Sequence, residues 1–221
     1  MDNRYSRHIL LDGFGEEGQA RVRKARVLIV GCGGLGSPVA MYLAAAGVGT
    51  IGLVDGDVVT LSNLQRQIIH WEENLEQQKV DSAADKMQRI NPEVTVRTYA
   101  TMLTRENAEE IMAEYDFVLD CTDSHTSKYI VADACTQYRK PYCCGGVVAY
   151  SAQIMTCLPG TMGYRDLFAE VPDEVQTSAT IGVLGPAVGV MGSIQACEAI
   201  KYITGIGELL TNKLLTIDVR T

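Results

Sequence analysis

The sequence predicts an α/β fold, doubly wound around a mostly parallel sheet that C-terminal antiparallel strands extend. Three observations carry this. The apolar run Arg26-Val27-Leu28-Ile29-Val30 leads directly into Gly31-Cys32-Gly33-Gly34-Leu35-Gly36 and then into the small-residue run 37–46, which reads as strand, glycine turn and helix. Short apolar runs then alternate with segments of helical periodicity. The 221 residues suffice for one such core and give no sign of a second compact domain.

A helix is expected first, around residues 16–24, ahead of the opening strand. Thr50-Ile51-Gly52-Leu53-Val54 is the second strand and ends at Asp55. Val80, Ala83, Ala84, Met87 and Ile90 recur at helical spacing, so a helix opens at Gln78-Lys79-Val80. Asn91-Pro92 ends it, because the residue before a proline is driven out of the helical region. Val94-Thr95-Val96 reads as a strand, 104–114 as a helix with Thr104 as its cap, and 116–121 as a buried strand. A helix over 127–138 and a short strand over 140–144 complete the alternation. The remainder departs from it: 147–158 is a long extended run, 159–180 a polar loop, 186–203 a helix, and 214–219 a final strand. A loop of roughly 20 residues is too long for a mere connection and is expected to be functional.

Net charge is −8, and no basic stripe is present, which argues against a nucleic-acid surface. The polar start Met1-Asp2-Asn3-Arg4 lacks the apolar stretch of a secretory signal, so a cytoplasmic protein is expected. Ala179 to Cys197 carries no charge for 19 positions, but its glycines, Pro186 and the closely following Glu198 and Lys201 read as a buried helix rather than a membrane span. Seven cysteines, an odd number with no C-x-x-C pair, fit free thiols in a reducing compartment. The adjacent Cys143 and Cys144 read as small side chains in a buried strand. His8, His70 and His125 do not show metal-ligand spacing, so no zinc site is expected.

The glycine turn carries the first chemical signal. Gly31, Gly33, Gly34 and Gly36 in a G-x-G-x-x-G arrangement let backbone N–H groups and a helix N-terminus approach a phosphate. Asp55 lies 19 residues beyond Gly36 at the end of the next strand, where a carboxylate accepts hydrogen bonds from ribose hydroxyls. A nucleotide is the ligand this implies, with residues 26–145 as its binding part, 1–25 as an N-terminal helical segment and 146–221 as sheet extension, loop and C-terminal helix. Arg66 and Lys79 then supply a forked donor and a point charge, the two cation types that offset negative charge at a pentavalent phosphorus. Asp123 follows the strand 116–121 at the carboxyl edge of the sheet, where a Mg²⁺ bridging phosphates wants a carboxylate.

Taken together, Arg4-Tyr5-Ser6-Arg7-His8, the glycine turn, Asp55-Gly56-Asp57, Ser62-Asn63-Leu64-Gln65-Arg66-Gln67, Lys79, Cys121-Thr122-Asp123 and Gly182-Val183-Leu184-Gly185-Pro186 resemble the ThiF/MoeB/HesA family, relatives of ubiquitin-activating enzymes. The resemblance implies a Rossmann-like adenylyltransferase that uses ATP and Mg²⁺ on the C-terminal glycine carboxylate of a small ubiquitin-like sulfur carrier, as a homodimer. It implies that Asp55 holds the ribose, that Asp57 belongs to the cofactor-binding residues, that Asn63, Arg66 and Lys79 hold the phosphates, that Asp123 holds the metal, and that Arg7 reaches the partner subunit's triphosphate. Two departures stand out. The zinc-binding C-Y-R-C sequence of many relatives is Gly163-Tyr164-Arg165-Asp166 here, and their loop cysteine is replaced by Ser178. No structural zinc is therefore expected, covalent transfer through the loop is in doubt, and sulfur would come from a separate donor. Three other readings stay open: activation of a carboxylate on a modified tRNA base, a non-catalytic nucleotide- or carrier-binding protein, and a nicotinamide-dependent dehydrogenase. The last leaves Arg66, Lys79 and Asp123 without a role, and the acidic balance opposes the first.

Overall fold

The computed structural model describes residues 4–169 and 178–221. Its strands are β1 (Arg26–Val30), β2 (Thr50–Val54), β3 (Thr95–Tyr99), β4 (Phe117–Asp120), β5 (Tyr142–Val148), β6 (Ser151–Cys157) and β7 (Leu215–Asp218). They form one sheet in the order β3-β2-β1-β4-β5-β6-β7. Pairing is parallel from β3 to β5 and antiparallel at β5–β6 and β6–β7. The predicted fold class is the observed one.

Helices cover both faces. α2 (Gly15–Lys24), α3 (Gly36–Ala46), α4 (Lys79–Ile90) and α9 (Gly185–Thr204) pack on one side, meeting Val27, Ile29, Ile51, Leu53, Phe117 and Leu119. α5 (Ala108–Met112) and α6 (His125–Gln137) pack on the other, against Leu28, Val30 and Val118. Successive residues of β1 thus point to opposite apolar layers, and so the strand reads as an unbroken hydrophobic run. Leu28 and Ile29 are both 0% exposed, a burial that contributes about 1.5–3 kcal/mol for each side chain. Residues 185–197 of the charge-free stretch form the first part of α9, and no described helix is long and apolar enough to cross a membrane. Short helices α1 (Ser6–Ile9), α7 (Tyr164–Leu167) and α8 (Ser178–Ile181) and two 3₁₀ turns, Leu61–Asn63 and Glu72–Asn74, complete the described elements.

Several predicted boundaries need correction. The helix expected over 104–114 shrinks to α5, because residues 104–107 form a turn closed by side chains: Thr104 N–H donates to Asn107 Oδ1 at 2.8 Å and Asn107 N–H to Thr104 Oγ1 at 3.4 Å. β3 extends to Tyr99, since Arg97 and Thr98 stand exposed on an edge strand where no apolar pattern marks them. α6 starts at His125, capped by Ser124 Oγ, which accepts from Ser127 N–H at 3.1 Å. The long run 147–158 is two antiparallel strands rather than one, turning at Ala149 with φ of 52°. Backbone bonds from Ala149 N–H to Gly182 C=O and from Leu184 N–H to Ala149 C=O hold that turn. The polar loop contains α7 and the start of α8, and its residues 170–177 lie outside the described residues.

Candidate functional site

A cavity of about 560 Å³ opens at the carboxyl ends of β1, β2 and β4, where the strand order reverses direction. Its floor is the glycine turn. Gly31 has φ of +95°, and a Cβ there would lie 2.8 Å from the Cys121 carbonyl oxygen, while a Cβ on Gly36 would lie 2.1 Å from that of Gly31. Only glycine permits this close stacking of the turn on the exit of β4.

Asp55 sits 8% exposed at the end of β2, its Oδ2 accepting from Cys32 N–H at 2.7 Å and its Oδ1 from Asp57 N–H at 2.9 Å. The carboxylate is thereby fixed with lone pairs left to accept from a ligand. Burial pushes its pKa up, opposed by Lys79 and the two N–H groups. Lys79, first residue of α4 and 6% exposed, donates from Nζ to Asp57 Oδ2 at 2.8 Å. Arg66 donates to the Ser62 carbonyl at 3.0 Å, leaving other guanidinium donors for a ligand. Asp123 is an exposed carboxylate in the cavity wall.

The cavity wall therefore brings together Gly31, Gly33, Gly34, Asp55, Asp57, Arg66, Lys79 and Asp123. Three predicted residues lie elsewhere. Gly36 shapes the turn from behind, and Asn63 closes a short 3₁₀ turn by accepting Thr60 N–H at 3.2 Å. Arg7 is exposed on α1 and does not line the cavity of its own chain. No group of three or more His, Cys, Asp or Glu side chains able to hold a metal occurs among the described residues. An exposed cavity carboxylate such as Asp123 suits Mg²⁺, which is held by one or two carboxylates together with substrate phosphates. At 163–166, Asp166 Oδ2 accepts Gly163 N–H at 2.7 Å, Tyr164 N–H donates to the Tyr142 hydroxyl at 3.0 Å, and Arg165 donates to Asp133 at 2.8 Å.

Sequence reasoning missed a buried layer beneath the site. Lys128 Nζ on α6 reaches Asp120 Oδ2 at 3.3 Å and the Gly145 carbonyl at 2.5 Å, and Asp120 is 1% exposed. Asp120 Oδ1 also accepts Thr122 N–H and Oγ1–H, bracing the loop that carries Asp123. From α9, Gln195 Nε2 donates to the Asp120 carbonyl at 2.9 Å. The signal was present: a carboxylate ending the apolar run Phe117-Val118-Leu119 needs a buried cation, and Lys128 follows one helix entry later.

His70 was likewise passed over. It is 3% exposed, with Nε2 at 2.8 Å from the Cys32 carbonyl and Nδ1 at 2.9 Å from Ser82 Oγ. A carbonyl only accepts, so Nε2 carries the proton and Nδ1 accepts from the serine hydroxyl. Burial lowers its pKa to about 4, with Lys79 and Lys86 adding to the effect. The folded chain thus refuses a proton that the unfolded chain takes up below about pH 6.5. Stability is expected to be intact above that pH and to fall by about 3 kcal/mol as pH drops towards 4, while His70→Gln flattens this part of the profile. Urea titrations at stepped pH would measure it; identical slopes for the two proteins would contradict it.

The ThiF family model matches residues 5–221. The chain is 45% identical over 222 residues to the probable adenylyltransferase/sulfurtransferase MoeZ of Mycobacterium tuberculosis, covering 97% of this chain and 57% of that protein. It is 41% identical over 218 residues to the SAMP-activating enzyme E1 of Haloferax volcanii, covering 98% and 81%. Among solved structures, E. coli MccB with MccA-N7isoASN matches with a TM-score of 0.89 at 24% identity, over 100% of this chain and 70% of that one. The last likeness concerns the fold alone. Against the plant relative MOCS3-1 of Zea mays, too, the chain spans about half the length, 47%.

Proposed function

This chain belongs to the ThiF family, and from that premise we propose that it adenylates the C-terminal glycine carboxylate of a small ubiquitin-like sulfur carrier, using ATP and Mg²⁺. One observation carries the reading. A fixed ribose-type carboxylate (Asp55), two cations (Arg66 and Lys79) and an exposed carboxylate (Asp123) meet around a glycine turn in one cavity. The relatives named as adenylyltransferases support it.

In the proposed reaction a carboxylate oxygen of the carrier attacks the α-phosphorus in line, and the bond to the β-phosphate oxygen breaks as pyrophosphate leaves. The nucleophile is already an anion, so no side chain has to take its proton. The chain's contribution is positioning and charge: Asp55 anchors the ribose, the turn's N–H groups and Arg66 hold phosphates, and Lys79 offsets charge at the reacting phosphorus. Asp123 would hold Mg²⁺, which neutralises phosphate charge when bound. The cavity continues past Lys128 to Gly146, Ser151, Gln153 and Asp218, giving an extended glycine-rich tail a path to the α-phosphate. Arg7, outside its own chain's cavity, is assigned to the partner's triphosphate in a homodimer.

ATP–pyrophosphate exchange is the test. Exchange is expected only with Mg²⁺ and a carrier ending in Gly-Gly, and Ser178→Ala should keep it within about twofold, because the loop acts after the adenylate forms. Nucleotide binding without exchange for any such carrier would favour a non-catalytic binding protein instead. Loss of exchange in the Ser178 variant would place the loop in the first half-reaction.

A further inference from the structure

The shape of the glycine turn is not set by its glycines alone, because one residue of it, Cys32, is held through both its N–H and its carbonyl. Cys32 N–H donates to Asp55 Oδ2 at 2.7 Å, and the Cys32 carbonyl accepts from His70 Nε2 at 2.8 Å. His70 is in turn oriented by Ser82, whose hydroxyl lies 2.9 Å from Nδ1 and within 3.5 Å of Lys86 Nζ. Ser82 sits one turn along α4 from Lys79, the cation at that helix's first position. The ring therefore ties the turn, the ribose-type carboxylate and the helix bearing the cation into one frame.

We propose that His70 is a positioning residue for the nucleotide site, setting the spacing between the glycine turn and Lys79 through its bond to the Cys32 carbonyl. This rests on the reading of the cavity as an ATP site. The imidazole does not line the cavity and touches no ligand atom, so its action is indirect. Without it, the Cys32 carbonyl loses its donor and Cys32 keeps only the bond from its N–H to Asp55. Because phosphate donors act only when pre-set, the effect should appear in nucleotide affinity more than in turnover.

The experiment separates positioning from mere structural support by two substitutions that each break one of the ring's bonds. His70→Gln places an amide nitrogen where Nε2 stands and can keep the Cys32 bond; His70→Asn reaches only the Nδ1 position and loses it. Wild-type protein is first titrated with ATP·Mg²⁺ by calorimetry; absence of any binding there would sink the ATP reading itself rather than this one. With binding established, His70→Asn should weaken affinity about fivefold to tenfold and raise KM for ATP similarly, with kcat at saturation nearly unchanged. His70→Gln should stay within about twofold, although both variants lose one hydrogen bond and similar Tm. Should His70→Asn fail to fold, His70→Leu, which fills similar space and also removes the Cys32 bond, is expected to weaken ATP binding about fivefold to tenfold, while Ser82→Ala, which like His70→Gln keeps that bond, should stay within about twofold. Affinity in the Asn or Leu variant equal to that of His70→Gln would overturn the proposal.

Discussion

Neither Arg7→Ala nor Asp123→Ala should support ATP–pyrophosphate exchange alone, yet refolding the two together in equal amounts should restore about a quarter of wild-type site activity. Half of the dimers in such a mixture are mixed, and each mixed dimer joins both substituted copies of one site while leaving the other intact. The expectation follows from placement. Asp123 lines the cavity, whereas Arg7 is exposed on α1 and absent from that cavity's wall. An arginine supplied across a subunit boundary to a triphosphate contributes about 10³-fold or more in comparable phosphoryl-transfer sites, so each single variant should be silent within assay range. A mixture that stays inactive would put Arg7 in its own subunit, and an active monomer would refute the assignment directly.

The second large effect is on stability. Lys128→Met should lower unfolding free energy by about 3 kcal/mol, and Tm on the order of 10 °C, because it strands the Asp120 carboxylate at 1% exposure. Adding Asp120→Asn should recover much of the loss: the amide oxygen still accepts from Thr122 while the uncompensated charge is gone. Urea unfolding of the two singles and the double gives the coupling. A Lys128→Met variant within about 1 kcal/mol of wild type would show that water reaching the cavity wall solvates Asp120 well enough on its own.

How much was legible can be traced residue by residue. β1, β2, α4 and α9 were readable because each is fixed by a local pattern, a buried apolar run or a helical repeat that its own side chains declare. The turn at Ala149 was not, since a non-glycine residue at positive φ gives no compositional mark and is held by the distant segment 182–184. The cavity residues Asp55, Arg66, Lys79 and Asp123 were found through motif spacing. His70, Asp120, Lys128 and Gln195 were not, because their partners lie on other elements, from 8 residues away for Lys128 to 75 for Gln195. Buried polar groups of this kind announce themselves only as misfits in an apolar context, and the partner that resolves the misfit is a property of the folded chain.

The ion pair between Lys79 and Asp57 has one more consequence. A cation that waits for a polyphosphate in a protein of net charge −8 would otherwise stand bare whenever the site empties. Lys79 instead has a resident partner: on the proposed reading a departing anion would hand the ammonium back to Asp57, trading one contact for another rather than exposing a buried charge. In the proposed adenylation the incoming phosphate would displace the carboxylate, so the pair would act as a return spring that moderates the grip on nucleotide and eases the release of pyrophosphate.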